Sequence, residues 1–276
     1  MKNMISILDY CSKDIFEIFN LAEEVQQGKF NDILKGKSLV LFFPNSSLRT
    51  RVTFEKAIYL LGGQAILFPT ETLDKKEAIK DVCGYLNNWA DLIIVRHKDI
   101  EVIEKLSQYS NIPVINAMTD INHPCEIIAD LYSLSKIRKD FIHDKYLYCG
   151  KKGNIGLTWR EASKVMGFEL IQCCPDGFEM DEIATSNNLI EAIQDRDIVC
   201  TDSLSSNILE DFKDFQITKA IMEMANEGAI LNPCPPFYRG EEVSADVIDS
   251  RFFVGYEFKK HLLEVQQAII IYCLTR

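Results

Sequence analysis

Six consecutive residues, Ser46-Ser47-Leu48-Arg49-Thr50-Arg51, bring three hydroxyls and two guanidinium groups into one short stretch. They follow the apolar run Leu39 to Phe43, which stops at Pro44. They precede a helical pattern in which Phe54, Ile58 and Leu61 share a face before Gly62-Gly63. A tip between a buried strand and a helix start offers unpaired amide hydrogens and a partial positive charge. Guanidinium forks match phosphate oxygens two at a time. Arginines at i and i+2 do not share a helix face, which disfavours a simple surface stripe. The chemistry that suits this stretch is capture of a phosphate dianion. The plainer alternative is N-capping by Ser47 with two solvated arginines.

Further chemistry-bearing residues stand at the ends of apolar runs. Arg96 closes ADLIIVR, His123 opens HPCEIIAD, Asp202 follows IVCT, and Cys234-Pro235 lie in NPCPPFYRG. Gly150 to Gly156 reads G-x-x-G-x-x-G after KYLYC, with Asp176 ending the next run. That spacing departs from the dinucleotide fingerprint G-x-G-x-x-G, so a nicotinamide-dependent oxidoreductase is the weaker alternative. Each residue also has a structural reading: a packed turn for His123-Pro124, a turn former for Asp202, a buried thiol for Cys234, and a solvated helix start for Lys75 and Lys76.

The elements that must position these groups are legible from patterning. Nine apolar runs, SLVLFF, QAILFP, DLIIVR, IPVINA, KYLYCG, FELIQCC, RDIVCT, AILNPC and FFVGY, alternate with amphipathic stretches such as EIIADLYSLSKIR. Strands alternating with helices indicate α/β architecture with parallel sheets covered on both faces. We expect two doubly wound parallel-sheet domains, divided within EIIADLYSLSKIRKD. Residues 1–133 form the first and 134–256 the second, with a C-terminal helix at 257–276 packing back on the first. In such sheets ligands bind beyond the carboxyl ends of the strands.

Composition narrows the function. The chain has 276 residues, of which 47% are hydrophobic and 26% charged, enough for a sizeable core. Its 41 acids against 30 bases lack the basic footprint of a nucleic-acid binder. The N-terminal MKNMISILDYCSKD has no apolar signal region, and no run approaches a membrane span. Nine cysteines without C-x-x-C spacing suggest reduced thiols and a cytoplasmic location. Four histidines show no metal-ligand spacing, so no metal is expected.

Five segments in collinear order resemble the aspartate/ornithine transcarbamylase family, from about residue 5 to residue 270. S-L-R-T-R is similar to the family's carbamoyl phosphate loop S-T-R-T-R. ADLIIVRH resembles the strand whose arginine contacts the carbamoyl oxygen, and His123-Pro124-Cys125-Glu126-IIAD resembles H-P-[CT]-Q-x-L-[AL]-D. LDKKEAIKD resembles a mobile loop that reaches a neighbouring subunit's site. PCPPFYRGEEVSADVID resembles the ornithine branch's H-C-L-P-x-x-R-G-x-E-V.

The resemblance implies attack of an amine on carbamoyl phosphate, giving a ureido product and phosphate, with no metal or organic cofactor. It implies a phosphate cradle of Ser47, Leu48, Arg49, Thr50 and Arg51. It further implies that Arg96, His123 and Thr50 surround the carbonyl oxygen. Donors aimed at an oxygen that becomes negative are worth roughly 3–4 kcal/mol each in a dry site. Glu126 stands where the family has Gln; a carboxylate can accept from the carbamoyl NH2, but its charge opposes the phosphate unless it is protonated or paired.

For the acceptor, Asn154 aligns with a carboxylate-holding asparagine. Asp202 and Ser206 align with the ornithine branch's D-x-x-x-S, and Cys234 and Pro235 with its C-L-P. Lys75 and Lys76 would complete a neighbour's site, implying a homotrimer. The family's C-terminal arginine is missing, leaving Lys259 or Lys260 as stand-ins. The expected activity is carbamoyl transfer to an ornithine-like amino acid, as in arginine biosynthesis. Alternatives are another amine (aspartate, N-acylated ornithine, a diamine or a short diamino acid) and a non-catalytic phosphometabolite-binding relative.

Overall fold

A computed structural model describes residues 1–276, which fall into two compact units: Met1–Ser133 with Lys259–Arg276, and Leu134–Phe258. In the first unit the order is α1 (Ser12–Gln26), β1 (Ser38–Phe43), α2 (Arg49–Leu60), β2 (Gln64–Pro69), α3 (Ile79–Leu86), β3 (Leu92–Arg96), α4 (Ile100–Tyr109), β4 (Val114–Met118) and α5 (Pro124–Ile137). The last helix begins in this unit and ends in the second.

The four strands form a parallel sheet in the order β2-β1-β3-β4. Successive side chains point to opposite faces. Val40, Phe42, Ile93 and Val95 pack with Cys83 of α3 and with Ile103 and Leu106 of α4. On the other face Phe43 meets Phe54 of α2, with ring centroids 6.2 Å apart. Helices therefore cover both faces, which is why β1 and β3 are apolar almost without interruption. Helix α2 ends where Gly62 takes φ +83°, a left-handed cap that costs other residues strain.

The second unit contains β5 (Tyr146–Cys149), α6 (Asn154–Met166), β6 (Leu170–Cys173), β7 (Ala184–Ser186), α7 (Leu189–Ala192), β8 (Ile198–Thr201), α8 (Lys219–Met222), β9 (Ile230–Pro233) and α9 (Ala245–Ile248). Its parallel sheet runs β7-β6-β5-β8-β9. Tyr146 packs on Trp159 of α6 on one face, at 5.8 Å between centroids. Leu147, Cys149, Val199 and Leu231 pack with Leu189, Met222 and Val247 of α7, α8 and α9 on the other. The chain then returns to the first unit as α10 (Leu262–Thr275), buried over most of its length against α1 and α2.

Two strand expectations are corrected. FFVGY makes only an isolated bridge, Phe253 to Leu231, on the outer edge of β9, where Leu231 N donates to Phe252 O and Val254 N to Leu231 O. The edge strand β7 was not expected, since Ala-Thr-Ser is short, largely exposed and without an apolar run. No helix is long and apolar enough to cross a membrane.

Candidate active site

In each sheet the strand order reverses once, between β1 and β3 and between β5 and β8. Such reversals open a crevice at the carboxyl ends of the strands, because the two connections leave toward opposite faces. The loops after β1 and β3 carry Ser47 to Arg51 and Arg96; those after β5 and β8 carry Asn154 and Asp202. A cleft of 340 Å³ lies at this end of the first sheet, lined by Pro44, Thr70, Arg96, His97 and Thr119 among others.

Ser47 and Thr50 are buried, whereas Leu48 and Arg49 are exposed and Arg51 half-buried. Leu48, not Ser47, is the N-cap of α2, and it makes no side-chain cap. The Ser47 hydroxyl instead accepts from Arg96 Nη1 at 3.2 Å, which corrects the capping alternative. The first amides of α2 consequently remain available to an anion. Arg51 Nε donates to Glu55 Oε1 at 2.7 Å, one turn on. Arg96 sits at a register shift between β3 and β4, the kind of bulge that re-aims a side chain.

His123 is buried at the start of α5, where its carbonyl accepts from Ile127 N. Burial lowers its pKa to about 4; Glu126 opposes this, while Arg96 and Lys259 reinforce it. The imidazole is therefore neutral near pH 7 and can donate one N–H without carrying charge. A buried polar network, not foreseen from the sequence, fixes the turn before it. Thr119 Oγ1 and Asn116 Nδ2 each donate to Asn122 Oδ1 at 2.7 Å, and Asn122 Nδ2 donates to Ile5 O at 3.1 Å. The only sequence signal was an asparagine inside the apolar run IPVINA.

Glu126 is buried and bonded to Lys259, with Nζ 2.9 Å from Oε1; the same ammonium lies 2.5 Å from Asp130 Oδ1. Burial alone would raise the Glu126 pKa, but Lys259, His123 and Arg49 together bring it below the usual carboxylate range. With His123 neutral, Lys259 and Arg49 carry that effect near pH 7. The Glu126 carboxylate is thus held by pairing, not by protonation. Lys259 lies against two carboxylates. Lys75 and Lys76 lie exposed between a short turn, Thr70–Asp74, and α3. Asp74 Oδ1 is 3.1 Å from His97 Nε2, which ties down the end of that turn.

In the second unit Asn154 opens α6, and its Oδ1 accepts from Ile155 N at 2.9 Å. Asp202 follows β8, accepts from Ser203 N at 2.9 Å, and has its pKa raised to about 6 by burial, against the pull of Ser203 and Lys151. Cys234 is buried at the end of β9, its N–H donating to Thr201 O at 3.0 Å, and Pro235 follows it in a cis Pro235–Pro236 pair. Ser206 is exposed in a short turn, Ser206–Ile208.

Sequence reasoning missed Glu242, a buried acid whose Oε1 accepts from Tyr238 N at 2.8 Å. Burial raises its pKa to about 7, with Asp202 among the lesser contributors. Two acids with raised pKa values near one strand end make a region that favours an ammonium. Tyr148 is fully buried near Asp202, and its hydroxyl donates to Lys151 O at 3.2 Å.

Two glycines of the Gly150–Gly156 loop, Gly150 and Gly156, serve this tyrosine. A Cβ on Gly156 would stand 2.5 Å from Tyr148 Cε1, and one on Gly150 would stand 2.9 Å from its hydroxyl. An aromatic ring fills the space, so the glycines are explained without a pyrophosphate. No group of three or more His, Cys, Asp or Glu side chains is arranged to hold a metal.

Residues 2–136 match the family model for the aspartate/ornithine carbamoyltransferase carbamoyl-P binding domain, and residues 143–273 match that for its Asp/Orn binding domain. The chain is 32% identical over 297 residues to an ornithine carbamoyltransferase of Methanosphaera stadtmanae, and 30% identical over 297 residues to one of Geobacter sulfurreducens; each alignment covers 98% of both chains. Its fold superposes on ornithine carbamoyltransferase from Pyrococcus furiosus with a TM-score of 0.94 at 28% identity, covering 99% of this chain and 97% of that one. These matches show that the chain belongs to the aspartate/ornithine carbamoyltransferase family.

Proposed function

We propose that the protein transfers the carbamoyl group of carbamoyl phosphate to the side-chain amine of ornithine or a close analogue, releasing phosphate. Carbamoyl phosphate sits at the rim of the first sheet. The α2 amides, Ser47, Arg49, Thr50 and Arg51 hold its phosphate, and the Leu48 amide contributes to the cradle. Arg96, His123 and Thr50 donate to the carbonyl oxygen, and Glu126 accepts from the carbamoyl NH2. The amine nitrogen attacks the carbonyl carbon after losing a proton, and negative charge moves onto the oxygen that these donors face. The C–O bond to phosphate then breaks as the carbonyl re-forms, and phosphate departs with the electron pair and the amine's second proton.

The acceptor is held in the second unit, its carboxylate by Asn154 and its amine by Asp202, Cys234 and the backbone about Pro235, with Ser206 at the entrance. An alkyl amine is protonated below about pH 10.4, so it arrives as a cation. Asp202 and Glu242 suit that charge, and this is the observation that favours a diamino acid over aspartate.

We further propose a homotrimer in which Lys75 and Lys76 reach a neighbour's site. Exposed apolar side chains support it: Val52 and Tyr59 of α2, and Tyr85 of α3 stacked with Trp89 just beyond that helix, are all more than half exposed. The nine free cysteines fit a reducing, cytoplasmic setting, and a place in arginine biosynthesis fits the 26% likeness to the anabolic ornithine carbamoyltransferase of Campylobacter jejuni.

The observation that carries the proposal is Arg96 bonded to Ser47 beside a neutral, buried His123. The test is a panel of amines with carbamoyl phosphate, read by mass spectrometry of the ureido product. Ornithine is expected to give the highest kcat/KM. Turnover of aspartate in preference to ornithine would reject the acceptor assignment, and no product from any amine would reject the enzyme.

A further inference from the structure

Helix α5 carries Glu126 and Asp130 one turn apart on the same side, both buried. Two carboxylates at i and i+4 repel, and burial penalises each charge further. Lys259 contacts both, at 2.9 and 2.5 Å. Its side chain is 21% exposed, against 7% and 3% for the acids, so the charges are largely withdrawn from water. Burying three charges for stability alone gains little over apolar packing. The arrangement calls for another purpose, and the chemistry of the site supplies one. An ionised carboxylate only accepts hydrogen bonds, whereas a protonated one presents an O–H.

We infer that Lys259 is a positioning residue that keeps Glu126 an ionised acceptor, and thereby makes the site select a carbamoyl NH2 over a methyl group. The inference rests on the carbamoyltransferase reading. A carbamoyl NH2 donates to Glu126; an acetyl methyl cannot, and leaves a buried charge without its partner. Sites built around a buried hydrogen-bonding group reject the analogue lacking that bond far more strongly than a size difference would. The charged and titratable groups about Glu126 are His123 and Asp130 on its own segment, Arg49 and Lys259, with Arg96 acting on His123. His123 is neutral near pH 7. Removing Lys259 would therefore drive Glu126 to take up a proton, leaving the total charge of the site little changed but converting an acceptor into a donor.

The test uses two stable analogues that differ only in that group, phosphonoacetamide and 2-oxopropylphosphonate, titrated calorimetrically. Wild-type protein is expected to bind the amide at least about thirtyfold more tightly, within the range set by a lost buried hydrogen bond. Lys259→Gln should reduce the ratio about tenfold or more, with the ketone's affinity within about threefold of wild type. The ratio should recover as pH rises and Glu126 ionises again, a response that a purely structural lysine would not produce. Glu126→Leu should bring it close to one at every pH. If Lys259→Gln does not fold, Lys259→Gln with Asp130→Asn removes one acid with the base and carries the same test. A wild-type ratio in a folded Lys259 variant overturns the inference. Wild-type protein that binds neither analogue overturns the carbamoyltransferase reading beneath it.

Discussion

Gly156→Ala tests what the loop after β5 is built around. The added methyl would lie 2.5 Å from Tyr148 Cε1, 2.8 Å from Cζ and 3.0 Å from Met180 Sδ. Ordinary carbon contacts are about 3.5–4.0 Å, so the overlap approaches 1 Å. The ring cannot easily yield. Tyr148 is fully buried in β5, paired with Gln172 and Cys200 on either side, and tied by its hydroxyl to Lys151 O. Overpacking of this kind costs about 1–3 kcal/mol, against a helix-propensity gain of at most about 1 kcal/mol for replacing glycine by alanine. The strain term wins, and a net loss of about 1 kcal/mol is expected.

Urea unfolding measures it. The chain has two tryptophans, and Trp159 is buried in the same unit as Gly156, so a Trp89→Phe background isolates its fluorescence. With m of about 2 kcal/mol/M, the midpoint should fall by about 0.5 M at unchanged m. Gly153→Ser is the control. Its backbone, φ −141° and ψ 177°, suits any residue, and a Cβ there meets only the Lys151 chain beyond 3.5 Å. Serine is a good N-cap, so the change should stay within about 0.5 kcal/mol. Equal tolerance at both positions, or greater damage at Gly153, would refute the reasoning and return the loop to a phosphate-cradle reading.

Three further outcomes follow from the site. His123→Ala should lower kcat by about 10²–10³-fold with little change in folding, as expected for one donor lost from a developing oxyanion; a fall under threefold would remove His123 from that role. Because burial lowers the His123 pKa from 6.5 to about 4, its contribution to stability is present above pH 6.5 and is lost as pH falls toward 4. An NMR titration should show its ring unprotonated from pH 8 to 5. Asp202 and Glu242 have the opposite sign: their pKa values are raised to about 6 and about 7, so they favour the folded, ligand-free state at low pH and lose that contribution as pH rises. A cationic acceptor should bind more tightly as pH rises through 6–7, with proton release, and Asp202→Asn should flatten the dependence measured by calorimetry in two buffers.

Much of this was legible in the amino-acid chain for a definite reason. Buried parallel strands must be apolar nearly throughout, so SLVLFF and DLIIVR announced β1 and β3, and the residues just beyond them, Ser47 to Arg51 and Arg96, had to lie at the strand ends. Where that constraint lapses, the reading failed. Exposed β7 left no apolar trace, and FFVGY is apolar because Phe252 is buried and Phe253 packs on Phe237, not because it forms a strand. The Lys259–Glu126 pair joins residues 133 positions apart, which no local pattern encodes. The Asn116–Thr119–Asn122 network was equally hidden, because its hydrogen bonds depend on how the turn folds back on β4 and on the backbone of Ile5.

The most direct measurement is a calorimetric titration of the wild-type protein with carbamoyl phosphate, repeated with Arg96→Ala. Saturable binding of one molecule per chain, weakened at least about tenfold when the arginine that bonds Ser47 is removed, is the expected result. No heat with the wild-type protein, or affinity indifferent to Arg96, would contradict a site for that compound at the rim of the first sheet.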